Sequence, residues 1–162
     1  MEKLKNIIKY FLLKQKDGES KCVELMRVAL FLYLVDWRSA IKQDKTMTGI
    51  NWSFSKNNMQ DSDEIEQAIS DETMFALGKD DTIPARDKRT ITCIDTTAMQ
   101  NFDVGEIDVF NRVIEITDGR NVIELLIFAL STYPVISATE EIKGGILEKA
   151  HEYKQLRKNS QT

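Results

Sequence analysis

Residues 28–38 read Val28-Ala29-Leu30-Phe31-Leu32-Tyr33-Leu34-Val35-Asp36-Trp37-Arg38, and this stretch decides the fold. The apolar run from Val28 to Val35 is eight residues long and is closed by Arg27 and Asp36. A membrane-spanning helix needs roughly 20 apolar residues, so the run is too short to cross a bilayer. Met26, Leu30, Tyr33, Trp37 and Ile41 form one stripe at helical spacing, and Val28, Phe31, Leu32 and Val35 form a second. A helix apolar on nearly all sides is surrounded by other elements. The sequence therefore predicts a central buried helix from about Ser20 to Ala40, with the rest of the chain wrapped around it.

Upstream, Leu4, Ile7, Ile8, Phe11 and Leu12 lie on one helical face with Lys5 and Lys9 opposite, and Asp17-Gly18 signals the turn that ends this helix. Downstream, Thr46 to Phe54 alternates, carries Gly49, and predicts a short strand, followed by a polar loop from Ser55 to Gln60. Asp61 or Ser62 is expected to cap a third helix through Ala76, with Ile65, Ala68, Ile69 and Phe75 facing inward and Gly78 ending it. Thr82-Ile83-Pro84 and Thr90 to Ile94 read as the two strands of a hairpin tipped by Arg86 to Arg89, with Pro84 confining its strand to an edge. Asp103 caps a helix bearing Val104, Ile107, Phe110, Val113, Ile114 and Thr117, and Gly119 closes it. Asn121 with Glu124 forms a capping box for a helix from Val122 to Thr132, which Pro134 stops. A last helix is expected from about Ile146 to Arg157 after Gly144-Gly145, with residues 158–162 fraying. The fold class is mainly α with a small β-sheet (α+β), in a single domain over residues 1–157.

Composition agrees with one globular domain. The 162 residues are 42% hydrophobic and 30% charged, with seven glycines and two prolines. A chain of this size buries roughly 70% of its unfolded surface without staples. One His and two Cys exclude a His-rich metal site, a multi-cysteine zinc finger and a disulfide framework. Net charge is −4, distributed as +4 over residues 1–45, −8 over 46–120 and zero over 121–162. An acidic middle repels a phosphate backbone, so the charge pattern argues against a nucleic-acid partner. The lysines at 3, 5 and 9 interrupt the first apolar stretch, so no secretory signal is read there. Asn51-Trp52-Ser53 is a formal glycosylation sequon without that signal. Cys22 and Cys93 read as reduced thiols, and the expected location is the cytoplasm, with no membrane partner.

No catalytic device emerges. A Ser-His-Asp or Cys-His arrangement would have to use His151, read as an exposed side chain on the last helix. Gly78-Lys79 lacks the upstream glycine and following hydroxyl residue of a phosphate loop. Asp61-Ser62-Asp63-Glu64 lacks the glycine and distal Glu of a calcium loop and reads as a helix N-terminus. Glu106 and Asp108 point to different sides of their helix, and Glu141-Ile142-Lys143 is only the short end of a nuclease pattern. Trp52 and Phe54, alternating on a strand, read as core before they read as a stacking surface. No cofactor and no metal is expected, and the chain is read as a non-enzyme.

Four blocks carry a resemblance. Phe31 to Ala40 is followed by Thr46-Met47-Thr48-Gly49-Ile50-Asn51-Trp52-Ser53-Phe54, then by Ser131-Thr132-Tyr133-Pro134-Val135, then by Ala150-His151-Glu152-Tyr153-Lys154. Their order and spacing resemble the Panacea domain family, which includes the SocA-like antitoxins. That family shows a "YLADWR" helix end, an "ITGIxWxF" strand, a "STYPI" helix stop and a terminal "LAKEYK". The likeness covers roughly residues 4–156. It departs at Ser55 to Gln60, where the family has an aromatic-Gly-Pro turn and this chain has none.

The resemblance implies a mostly helical fold with a small sheet, and an antitoxin that neutralises a toxin encoded next to it by direct protein contact. It also implies an alternative, an adaptor that delivers the toxin or another client to an energy-dependent protease. A third reading is a phage- or mobile-element accessory protein of the same fold. Self-association into a homo-oligomer stays open. The contact candidates are Lys56, Asn57 and Asn58 in the first loop and Arg86, Lys88 and Arg89 at the hairpin tip, because loops carry function on a rigid scaffold. Trp37 and Arg38 have two readings. Trp and Arg anchor many interfaces, but at this helix end Trp37 also reads as packing, with Asp36 pairing or capping locally.

Overall fold

In the computed structural model, which describes residues 1–15, 22–60, 63–95, 97–139 and 145–161, the first element is helix α1, Glu2–Lys14. Strand β1, Cys22–Glu24, leads directly into α2, Leu25–Gln43. A two-stranded hairpin follows, β2 (Ser53–Ser55) and β3 (Asn58–Gln60), then the short α3, Glu64–Ile69. Strands β4, Phe75–Lys79, and β5, Arg89–Cys93, precede four helices: α4, Val104–Thr117; α5, Val122–Leu130; α6, Tyr133–Ile136; and α7, Ile146–Asn159. The fold is α+β, as the sequence predicts. The sheet order is β1-β5-β4, antiparallel throughout, with Val23 opposite Ile91 and Leu77 opposite Ile91 on the other side.

Helix α2 is the axis of the core. Val28, Phe31, Leu32, Tyr33 and Val35 have no exposed surface, and of the run from Val28 to Val35 only Ala29 is half-buried. Helices α1, α4, α5 and α7 and strands β1 and β5 all pack on α2. Phe11 of α1 stacks on Phe31 with ring centroids 4.1 Å apart. Each such side chain, fully buried, contributes about 1.5–3 kcal/mol.

The helix ends follow the local chemistry. Asp103 accepts from the Glu106 N–H at 2.8 Å while Glu106 accepts from the Asp103 N–H at 3.0 Å, a capping box. Asn121 and Glu124 build the same device for α5. Gly119, just past α4, takes φ +75°, as expected for a C-terminal glycine.

Several expectations are corrected. The third helix does not reach Ala76; it stops at Ile69, and Phe75–Lys79, with Ala76 and Gly78 inside it, is β4. The side chain of Asp71 captures the Thr73 N–H at 3.0 Å, and such a local bond competes with helix propagation. The partner of β5 is β4, so Thr82 to Pro84 is loop and Arg89 opens a strand instead of tipping a hairpin. Here Asp80 captures the Thr82 N–H at 2.9 Å, and Lys88 Nζ donates to the Ile83 carbonyl at 2.7 Å, which folds residues 80–88 onto themselves. The strand expected from Thr46 narrows to Ser53–Ser55, because Asp36 takes the N–H groups of Met47 and Thr48 and Gly49 turns the chain at φ +76°. Ser55 to Gln60 is a hairpin instead of an open loop. The central helix starts at Leu25, since Cys22–Glu24 pairs with β5. Pro134 does not stop a helix but opens α6, where its missing N–H costs nothing; α5 has already ended at Leu130. Helix α7 continues past Arg157 to Asn159, through the expected fray point at Lys158. Asp17-Gly18, the Ser20 start, Asp61, Ser62, Glu141-Ile142-Lys143 and Gly144 lie outside the described residues.

Candidate functional site

The four sequence blocks meet at one end of α2. Asp36 has no exposed surface. Its Oδ1 accepts from the Met47 N–H at 2.7 Å and the Thr48 N–H at 3.0 Å. Its Oδ2 accepts from the Thr48 hydroxyl and from the Trp52 indole N–H at 2.9 Å. Burial pushes the Asp36 carboxyl above the usual carboxylate range, and the four donors pull against that rise. One turn back, the Tyr33 hydroxyl meets the Thr132 hydroxyl at 2.6 Å, and burial raises the phenol as well. The Tyr33 ring packs edge-on to Trp52 at 5.4 Å and to Phe54 at 6.0 Å. Trp37 packs edge-on to Tyr153 at 5.6 Å, and Tyr153 in turn meets Tyr133. The Tyr133 hydroxyl donates to Glu152 at 3.2 Å. This node ties α2, the 47–54 segment, α6 and α7 together. An acid enclosed by its own donors is a fastening, not a reactive group.

The contact candidates fall in three places. Lys56, Asn57 and Asn58 are exposed at the β2–β3 turn, where Asn57 takes φ 60°. Arg86 is exposed on the 80–88 loop, while Lys88 is held inside that loop by the Asp81 and Ile83 carbonyls. Arg89 forks onto Glu66 at 2.7 and 3.0 Å and onto Asp87 at 2.9 Å. Hydrogen bonding to Arg89 holds the Asp87 carboxyl below its usual range. Trp37 is only 8% exposed, so packing is the role its position supports. Arg38 is half-buried, and its Nε–H meets no acceptor among the described residues.

Two of these places are neighbours. Asn57 and Asn58 border a hollow of about 360 Å³ whose walls include Met26, Leu30, Trp52, Met59 and Leu126. Arg89, Asp87 and Glu66 border a second hollow of about 180 Å³ with Leu25 and Ile65. Both hollows share Met26 and Ala29 of α2. The half-buried Ala29 marks where the helix surfaces between them. Two methionines on an otherwise apolar floor give a lining that repacks around different side chains. Asn57, Asn58 and the Arg89 ion pairs supply a polar rim. Trp37 and Arg38 line a separate groove on the far part of α2.

Sequence reading missed Met26, Ala29, Met59 and Leu126. Met26 was visible as a member of the inward stripe, and nothing in a linear pattern says that the hairpin leaves one end of that stripe partly open. His151 is exposed on α7, as expected. Among the described residues no group of three or more His, Cys, Asp or Glu is placed to hold a metal ion, and no helix is long and apolar enough to cross a membrane. Comparison with family models, with curated proteins and with solved structures found no match to this chain.

Proposed function

We propose that this chain is a cytoplasmic antitoxin of the Panacea type that neutralises a toxin encoded next to it by direct binding. The observation that carries the reading is the double hollow along Met26 and Ala29, which unites the β2–β3 turn and the Arg89 ion-pair cluster on one face. An apolar, methionine-bearing floor with a polar rim has the anatomy of a protein contact surface. The convergence of the four resembling blocks supports the family side of the reading, because each block has a partner in another block. The hairpin stands where the family's Gly-Pro turn would be, and in this chain it forms one wall of the hollow. Partner choice is therefore set here by Asn57, Asn58 and Met59.

The test is co-expression with the adjacent gene product in cells with and without their main energy-dependent proteases, scored by growth. Rescue in both backgrounds is the expected result. Rescue only where a protease is present, with the neighbour's product disappearing, replaces direct neutralisation by adaptor-driven degradation. A neighbour that is harmless overturns the antitoxin reading.

A further inference from the structure

The three-stranded sheet has an open side. β4 is the end strand of the order β1-β5-β4, and Ala76, Leu77, Gly78 and Lys79 are all exposed. At the two ends of the β4–β5 pairing, the Ile94 N–H donates to the Met74 carbonyl and the Asp80 N–H to the Lys88 carbonyl, each at 2.9 Å. Facing residues of an antiparallel pair alternate between bonded and non-bonded. Ala76 and Gly78 therefore turn their backbone groups to β5, and Phe75, Leu77 and Lys79 turn theirs outward. The Phe75 N–H is taken by the Asp71 carbonyl at 3.0 Å. The Phe75 carbonyl, both backbone groups of Leu77 and the Lys79 N–H are left on the open edge, with no backbone partner among the described residues.

Such an edge is a template for another strand, and proteins usually blunt it with proline, charge or a covering element. Here Pro84 lies in the loop, and Lys79 is the one charged residue of β4. Leu77 and Ile94, each 49% exposed, border an apolar hollow with Ile69 and Phe75, and Glu72 stands at the same hollow. The edge is complementary to itself. Turned about a two-fold axis at Leu77, it sets Leu77 against Leu77, Ala76 against Gly78 and Lys79 against Phe75. Each Leu77 N–H then meets the other Leu77 carbonyl, and each Lys79 N–H meets the other Phe75 carbonyl. No two like charges face each other in this register. The apolar stem of Lys79 is carried over Phe75 of the second copy, toward the hollow that Glu72 borders, which gives its ammonium an acidic neighbour.

We propose that a second copy of this chain occupies the edge, in a two-fold dimer that joins the two three-stranded sheets into one across Leu77. This edge shares no lining residue with the hollows along Met26 and Ala29, so the dimer stands whether or not the antitoxin reading does.

Sedimentation velocity of the full chain over a wide range of concentrations tests this, and a reversible monomer–dimer equilibrium is the expected result. Leu77→Lys sets like charges directly opposite each other and removes the apolar pair, so it should weaken the dimer at least about tenfold. Leu156→Lys, at an exposed position of α7, should leave the dimer unchanged. Lys79→Glu should weaken it severalfold, and adding Glu72→Lys should restore it, which a merely damaged fold would not do. Leu77→Cys should oxidise to a covalent dimer linked at that position in peptide maps, because directly bonded antiparallel residues have Cα atoms about 5.5 Å apart, within disulfide reach. A monomer at every concentration, a dimer indifferent to Leu77→Lys, or a covalent link only elsewhere overturns the proposal. Where Leu77→Lys fails to fold, the charge exchange between Lys79 and Glu72 decides it.

Discussion

Replacing Asp36 is the sharpest perturbation the structure offers. Asp36→Ala strands the N–H groups of Met47 and Thr48 and the Trp52 indole N–H in a site closed to solvent, while the Thr48 hydroxyl is free to turn. Each buried donor left unmade costs about 1–3 kcal/mol, and partial relaxation brings the three to a total of about 3–6 kcal/mol. Domains of this size have about 5–15 kcal/mol in all, so much of the stability should go. With a urea slope of about 2 kcal/mol per molar, the midpoint should fall by about 1.5–3 M. Asp36→Asn should be milder, about 1–3 kcal/mol. Its oxygen keeps the two backbone donors that Oδ1 serves, but its amide meets the Trp52 indole donor to donor. Adding Trp52→Phe to Asp36→Asn removes that conflict, so the double variant should be more stable than the sum of the singles by about 1 kcal/mol. Urea unfolding followed by circular dichroism reads all five proteins: the wild type, Asp36→Ala, Asp36→Asn, Trp52→Phe and the double variant. A loss under about 1 kcal/mol for Asp36→Ala, or strict additivity in the cycle, would refute the fastening role.

Hydrogen bonds from Lys5 and Lys9 hold Asp71 and Asp95 down to about 2. Folded values below the ordinary carboxylate value mean that this stability is complete above about pH 5 and is lost as pH falls through about 2. Urea midpoints measured from pH 5 to pH 2 should therefore decline, and less steeply in Lys9→Met. Trp37→Ala removes the ring that Tyr153 packs on and should cost about 3–5 kcal/mol, with amide exchange rising more in α7 than in α4. Gly78→Ala places a methyl 2.9 Å from the Thr90 hydroxyl across the β4–β5 pair. It should cost about 1–3 kcal/mol in thermal unfolding, and Thr90→Ala should recover part of that loss.

The periodicity of Val28 to Val35 was enough to place the central helix, because an all-round apolar helix has only one environment. The Asp103 cap and the Asn121–Glu124 capping box were legible because such a device is local, its residues at most three positions apart; the return bond from Glu106 to the Asp103 N–H came only with the structure. The strand pairing was not legible. Phe75–Lys79 carries helix-compatible residues, and only its pairing with Thr90 to Cys93, selected after Asp71 interrupts the helix, makes it a strand. The same limit hid the candidate site. Arg89 looked free in sequence, yet Glu66, 23 positions away, and Asp87 hold it. Met26 and Met59 are 33 positions apart and meet only because the hairpin folds back over α2.

The central claim is that the Met26–Ala29 hollow holds the neighbouring toxin, and one binding measurement tests it directly. The adjacent gene product is captured from solution by the wild-type chain, by Met59→Glu, and by Gln155→Glu, an equal charge change on the exposed face of α7. Thermal midpoints first establish that both variants are folded. The account predicts a stoichiometric complex for the wild type and Gln155→Glu, and a loss of at least about hundredfold in affinity for Met59→Glu, as burying an unpaired charge implies. Undiminished binding by a folded Met59→Glu would contradict it.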